Sequence, residues 1–362
     1  MVSSLEGLKR VLVGGLSSRL RRGALGIGVD LGSTLTKFVV LQRAGTHYTL
    51  KNWGVEPVVS HPLEMEGLGV RSNFIDWNNL HASWSKHRSP PSSLGVSVSG
   101  PRVMIKSLEF PGMSEDEIRE HVKWELDRYI SPEMGNVLWD LHLSTSFPSD
   151  PSLKTQVLLV VAQKEWIEAI MSDFKGHGQE IDFVDVDAFA LANMVTMNYG
   201  NEEAWLLIHL GPSGMLQVLM HKGQVICLRE VPFAVEWYGD LVDQIRAAQK
   251  QSSGEPTMEP SVQILLDPFL EEMTGHIQDT LREYSSSIAF RSLAGVVLSG
   301  GYAVVEGMDK KISQNLGLSV CVADPFKKIQ VPVDIGRDPN FITSMPLLGV
   351  AVGVALRGEM EG

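Results

Sequence analysis

Cysteine is almost absent: Cys227 and Cys321 are the two in 362 residues, too few for a disulfide framework or a cysteine-based zinc site, which suits a reducing compartment. The ten histidines are scattered and show no metal-ligand spacing. Basic charge is short as well, with 31 Lys and Arg against 43 Asp and Glu and a formal charge of −12. That balance disfavours nonspecific binding along a nucleic acid and leaves room only for a local basic patch. No apolar run reaches the roughly 18 residues of a membrane span; "LLGVAVGVAL" near the C-terminus is among the longest. What is present is a globular balance, 44% hydrophobic and 20% charged, in a chain long enough for two domains or one body with several subdomains.

Within that body, residues 26 to 41, "GIGVDLGSTLTKFVVL", read as an apolar strand, a turn at Gly32, Ser33 and Thr34, and a second apolar strand. An ordinary hairpin fits this pattern. So does a phosphate cradle, in which the backbone N–H groups of a tight glycine turn face an anion and small hydroxyl side chains admit it. The pattern returns at 205 in "WLLIHLGPSGMLQVLM", where Asp30 aligns with His209, Gly32 with Gly211 and Thr34 with Ser213. Two copies of one hairpin, one per half, point to an internal repeat. A third glycine turn follows the apolar strand "GVVLS" at Ser299, Gly300 and Gly301, where absent side chains permit close approach of a base or ribose. In this order the three turns describe a two-lobed nucleotide-binding body.

Between the two hairpins, "PGMSEDEIREHVKWELDRYISP" predicts an amphipathic helix. Ser114 and Glu117 form a capping-box pair, Ile118, Val122, Leu126 and Tyr129 share a face, and Pro132 ends it. With the strands "LGVSVSG", "RVMIKSLEF" and "TQVLLVVAQ" and a helix stopped by Gly176, residues 95 to 180 form a compact α+β unit of two strands, a helix, a strand and a helix. "NFIDWNNLHASWSKHR" has helical spacing, and residues 241 to 260 read as an exposed polar loop. Residues 1 to 22 carry Leu5, Leu8, Leu12, Leu16 and Leu20 at near-helical spacing, with five basic residues against Glu6. This segment is suited to an anionic membrane surface or a partner, or equally to packing on its own domain or fraying as a tail.

"VDLGSTLTK", "HLGPSG" and "LSGGYAVVEG" in this order resemble the actin-like ATPase superfamily. "LEFPGMSEDEIREHVKWELDRYI", "VLLVVAQKEWIEAI", "FVDVDAFALANM", "LSGGYAVVEGMDKKISQNLGLSVCVADPF" and "LLGVAVGVALRG" resemble more closely the PilM family of type IV pilus assembly, over nearly the whole chain from residue 26. The resemblance implies an α/β, two-lobed actin/Hsp70/ribonuclease H-like fold with an FtsA-type 1C subdomain. Its divisions are a basic amphipathic segment at 1–25, the first lobe at 26–94 and 181–203, the 1C-like unit at 95–180, the second lobe at 204–240 and 294–362, and a smaller 2B-like subdomain at 241–293. It further implies a cytoplasmic adaptor beneath the inner membrane that meets other pilus platform proteins and binds the cytoplasmic N-terminal peptide of the membrane protein PilN. An FtsA-like membrane-tethered filament protein and a small-molecule kinase of the same fold are the alternatives.

The resemblance also assigns ATP and Mg²⁺ to the cleft. Asp30 is the expected magnesium ligand, through water; Ser33, Thr34 and Lys37 contact phosphates, with Gly32 in the first turn. Gly211 and Ser213 form the second phosphate turn, and Gly300 and Gly301 the adenosine turn. Asp185, in "VDVDAFAL", orders an attacking water or caps the helix that follows. Three departures point to an ATPase that is slow at most. His209 stands where the family usually has aspartate, Pro212 removes a backbone donor, and the family's "AE..K" element is not recognisable in "YGDLVDQIRAAQKQSSGEP".

Overall fold

The computed structural model describes residues 25–58, 93–143, 154–211, 214–232, 260–284, 293–303, 305 and 307–360. The expected helix within 73–88, the polar loop at 241–260 apart from its last residue, the degenerate "AE..K" region and the basic segment up to residue 24 lie outside them.

Three sheets organise these residues. The first holds β1 (Leu25–Leu31), β2 (Leu35–Ala44), β3 (His47–Pro57) and β4 (Ser93–Val98). The chain then leaves it for β5 (Val103–Pro111), α1 (Glu115–Tyr129), β6 (Val137–Leu143), β7 (Lys154–Gln163) and α2 (Lys164–Gly176), and returns as β8 (Phe183–Val186) and α3 (Asp187–Tyr199). The second half supplies β9 (Ala204–Gly211), β10 (Gly214–His221), β11 (Gln224–Val231), α4 (Pro260–Glu283), β12 (Leu293–Ser299), α5 (Met308–Leu316) and β13 (Val320–Val322). It ends in α6 (Val333–Gly336), α7 (Pro339–Ser344) and α8 (Gly349–Met360).

The strand orders are β3-β2-β1-β4-β8 and β11-β10-β9-β12-β13. In each sheet an antiparallel meander is followed by two parallel strands, so the repeated hairpin marks a repeat of the whole five-stranded unit. The third sheet, β5-β7-β6, is antiparallel and belongs to the insert.

Two features differ from the sequence reading. Strand β4, assigned there to the insert from residue 95, pairs in parallel with β1 and β8 inside the first sheet. All six of its residues are buried, as a central parallel strand covered on both faces requires. The insert also has a strand that was not expected, β6. Its sequence "VLWDLHL" places Asp140 and His142 among apolar residues, and both are accommodated by tertiary partners. Arg119 on α1 donates to Asp140 at 2.8 Å, and the His142 ring lies 4.7 Å from that of Phe189 on α3. Helix α1 itself follows its local code: the Ser114 hydroxyl accepts from the Glu117 N–H, the Ser114 N–H donates to the Glu117 carboxylate at 2.8 Å, and Ile118 and Val122 are buried.

Helices α3 and α8 join the lobes. Their residues share one core with Val39, Leu41 and Leu50 of the first sheet and Leu207, Val218 and Val297 of the second. The continuous helical stretch Pro339–Arg357 is long and apolar enough to cross a membrane, yet over half of it is buried inside this core. Its residues Val350, Val352, Val354 and Leu356 are almost wholly covered. Each such side chain contributes on the order of 1.5–3 kcal/mol by leaving water. Helix α8 comes close to the sheet because β1 is thinned by glycine: a Cβ on Gly26 would lie 2.6 Å from the Ala355 carbonyl oxygen.

His142, where the insert meets the first lobe, makes stability depend on pH. Burial pushes its pKa down to about 4, with Arg357 adding to the effect and Asp140 opposing it. Its Nε2 is buried without a hydrogen-bond partner. A histidine whose folded pKa lies below its unfolded value contributes stability that is whole above the unfolded value, near 6.5, and is lost as pH falls toward 4. The slope is at most about 1.4 kcal/mol per pH unit. His142→Phe keeps the ring packing and removes this proton. Between pH 7 and pH 5 its melting temperature should therefore fall less than that of the wild type; equal falls in a calorimetric scan would exclude His142 as the titrating group.

Candidate functional site

The turn of the first hairpin and the facing strand ends of the second border one cavity of about 480 Å³ between the lobes. From the first hairpin Asp30, Gly32, Ser33, Thr34 and Lys37 line it, and from the second His209, Gly211 and Gly214. Its other walls come from the β4–β5 connection at Gly100 and Pro101, from the start of α3 at Asp187, and from β11 at Glu230.

Pairing of β1 with β2 sets Asp30 directly opposite Lys37. The Lys37 ammonium sits 2.8 Å from the Asp30 carboxylate, and both side chains are largely buried. A Cβ on Gly32 would lie 2.7 Å from the Leu35 carbonyl oxygen and 2.9 Å from Lys37 Nζ, so the turn wraps over the ammonium only because residue 32 has no side chain. Burial drives the Asp30 pKa up to about 6; Lys37 opposes that rise and Asp187 adds to it.

On the other lobe, His209 is directly opposite Leu216 in the β9–β10 pair, and its Nδ1 lies 3.3 Å from the Ser299 hydroxyl. Burial pushes its pKa down to about 4, Asp187 opposing and Lys37 adding. At neutral pH the ring is therefore uncharged, and the position carries neither the charge nor the oxygen of a carboxylate.

Asp187 is the residue the sequence reading missed. It is the first residue of α3 and lines the cavity, and its carboxylate accepts from the Ser97 hydroxyl at 2.6 Å. Asp185, chosen from the same "VDVDAFAL" stretch, does not line the cavity and is fully buried. Its carboxylate accepts from the Val186 N–H at 2.8 Å and lies 3.1 Å from the Arg357 guanidinium on α8. It does not cap α3 either, whose N-cap is Val186 with no side-chain cap bond. The choice between two aspartates two residues apart turned on Arg357, far away in the chain.

The third glycine turn has a packing role. Gly300 adopts φ +94°, and any Cβ there would be driven into the backbone of Leu210, whose carbonyl also accepts from the Tyr302 N–H at 3.3 Å. Gly300 and Gly301 are not among the residues lining this cavity. Pro212 and Ser213 lie outside the described residues.

Asp30, the expected magnesium ligand, faces the cavity together with two further carboxylates, Asp187 and Glu230. Mg²⁺ requires near-octahedral oxygen ligation from carboxylates, phosphates and water. Asp30 is paired with Lys37, and among the described residues no three His, Cys, Asp or Glu side chains converge as a metal-binding group, so phosphates and water would supply most of the ligands of an ion held here.

Comparison with known proteins places this geometry. The family model described as type IV pilus assembly protein PilM matches residues 28–359. The chain is similar to a solved PilM–PilN type IV pilus biogenesis complex, with 20% identity over 94% of this chain and 99% of that one and a TM-score of 0.69. It also matches the ethanolamine utilization protein EutJ from Carboxydothermus hydrogenoformans, with 16% identity over 98% of this chain and 97% of that one and a TM-score of 0.47. MreB5 of Spiroplasma citri bound to AMPPNP matches with 12% identity over 93% of this chain and 96% of that one, with a TM-score of 0.48. The fold is the two-lobed actin-like α/β architecture.

Proposed function

The chain belongs to the family of the type IV pilus assembly protein PilM, and from that membership we propose that it is an actin-like adaptor of a pilus assembly platform. Its partner is the short cytoplasmic N-terminal peptide of a PilN-like inner-membrane protein. That contact holds it at the inner face of the membrane with other platform proteins. The observation that carries this reading is the family match across residues 28–359, joined by the likeness in fold to a PilM–PilN complex. The same match speaks against a small-molecule kinase or an FtsA-like filament protein.

The peptide docks in a groove between the first lobe and the insert. In support, among the described residues β5 and β6 are the two edges of the insert sheet, and an edge strand offers unpaired N–H and C=O groups to an extended peptide. A short segment that orders on binding loses its conformational entropy only then. The cleft between the lobes is a nucleotide site, supported by the first hairpin turn and the Gly211 and Gly214 strand ends of the second bordering one cavity and by the close approach of Gly32 to Lys37. Hydrolysis there is slow or absent, because His209 supplies no carboxylate; one lost electrostatic contact of this kind costs roughly 10²–10³ in rate.

Fluorescence anisotropy with the labelled N-terminal peptide of the PilN-like protein tests the adaptor reading. A chain beginning at Ala24 should fold and bind with affinity within about a factor of two of the full chain, a difference under 0.5 kcal/mol. If the truncated chain folds but no longer binds, recognition lies in the basic segment; if neither chain binds, the adaptor reading fails.

A further inference from the structure

We propose that β5 of the insert and β11 of the second sheet form a clasp at the rim of the interlobe cavity, and that the parting of these two strands sets how fast the cavity exchanges its ligand. This rests on the reading of the cleft as a nucleotide site and adds how that site is closed.

The first observation is the contact itself. Strand β5 ends the order β5-β7-β6 and β11 ends the order β11-β10-β9-β12-β13, and the two lie against each other. Val103 and Ile105 at the start of β5 line the cavity together with Glu230 and Val231 at the end of β11 and Pro232 just beyond it. The approach continues past the cavity. Burial raises the pKa of Tyr284, the residue after α4; its bond to the Cys227 thiol on β11 adds to the rise, and so do the carboxylates of Glu283 and of Glu109, the last reaching it from β5. The start of β5 therefore meets the end of β11, and from there the two strands run side by side in opposite directions.

The second observation is what each strand moves with. The insert is fixed to the first lobe, because Val160 and Ala162 of β7 share one core with Ile27, Val29, Leu94 and Val96 of the first sheet. Strand β11 is held to the second lobe by its ladder with β10, and its Cys227 and Val231 share a core with Phe269 and Met273 of α4. Any rotation of one lobe against the other therefore acts on the β5–β11 contact.

The third observation is the kind of contact. Strands β5 and β11 belong to separate sheets and are not joined by a ladder, so they can part without breaking a row of backbone hydrogen bonds. Helices α3 and α8, by contrast, join the lobes through a continuous buried core. The helices are the lasting joint, and the strand edges are the contact that opens. Small contacts between units of one chain permit relative motion, and the opening of such a closure commonly limits ligand release. Strand β6, the other edge of the insert sheet, is left to the peptide.

A reversible cross-link tests the proposal. Glu109→Cys and Arg229→Cys, at an exposed and a half-buried position, set one thiol on each side of the contact. Cys321→Ser removes the half-buried native thiol, and Cys227 is buried. A short bismaleimide linker with an internal disulfide should join the two within one chain. In stopped-flow mixing with fluorescent ADP and fluorescent ATP in magnesium chloride, the cross-linked chain should associate and dissociate at least about tenfold more slowly than the same chain after reduction of the linker. Reduction restores mobility without changing the sequence, so the comparison reads the clasp and not the substitutions. Failure of the cross-link to form within one chain, or exchange rates within about twofold before and after reduction, would overturn the clasp and leave the nucleotide site standing. A cross-link that forms in a chain that binds neither ADP nor ATP at millimolar concentration, as the wild type then also fails to do, would overturn the nucleotide reading and the role of the clasp with it.

Discussion

Gly353→Leu is expected to abolish folding, and Gly353→Ala to destabilise the protein severely. A Cβ at residue 353 would overlap the carbonyl group of Ala190, and that obstacle is helix backbone in the first turn of α3. Relief requires α3 and α8 to separate. Both helices are packed into the core that joins the lobes, with Ala190, Leu191 and Met194 of one and Val350, Val354 and Ala355 of the other buried together. Overpacking of a tight core commonly costs about 1–3 kcal/mol when side chains give way, and more when backbone must move. Against a typical net stability of about 5–15 kcal/mol, alanine here should lower the melting temperature by many degrees and leucine should yield insoluble chain. Gly275→Ala in α4 is the control. Nothing lies within 4 Å of the added methyl, and the helix should gain up to about 1 kcal/mol from the lost flexibility of glycine. A Gly353→Ala variant as stable as the wild type would refute the account of how α3 and α8 meet.

Arg357→Ala should cost about 3–5 kcal/mol, the range for removing one partner of a buried ion pair. Arg357 lies 3.1 Å from the fully buried Asp185 carboxylate and 5.0 Å above the Phe183 ring. Even with its partner in place, burial raises the Asp185 pKa, Arg357 and the Val186 N–H opposing the rise. Removing the guanidinium removes the larger opposition. The sign of the pH effect follows: a carboxyl with a folded pKa above its unfolded value favours folding at low pH and loses that contribution as pH rises. The deficit of Arg357→Ala relative to wild type should thus be smaller at pH 5 than at pH 7.5. Asp185→Asn combined with Arg357→Met should recover much of the loss, since no charge is then stranded. Denaturant melts of the wild type and the two variants decide it. A deficit for Arg357→Ala that is small and flat with pH would mean that Asp185 finds its counter-charge elsewhere.

Local signals in the sequence determined a great deal. Apolar alternation broken by Gly32 and by Gly211 specified both hairpins, and the matching of Asp30 with His209 revealed the repeat that the two five-stranded sheets display in full. Helix α1 was legible from its capping box and its buried face, and the substitution of His209 for the usual aspartate was visible as an anomaly. These features depend on residues within a turn or a strand of one another, so the chain carries them in plain order. The tertiary structure alone decided which partners distant residues took. Strand β4 could be set in the first sheet only by β1 and β8, β6 needed Arg119 and Phe189 to accommodate its Asp140 and His142, and Gly300 is fixed by Leu210. At the site, the two aspartates of "VDVDAFAL" are alike in sequence, but Arg357 arrives from the C-terminal helix to claim Asp185, while Asp187 meets Ser97 at the cavity wall. Burial then sets the charge states, raising the Asp30 pKa and lowering that of His209. Desolvation depends on everything packed around a group, and no stretch of sequence states that by itself.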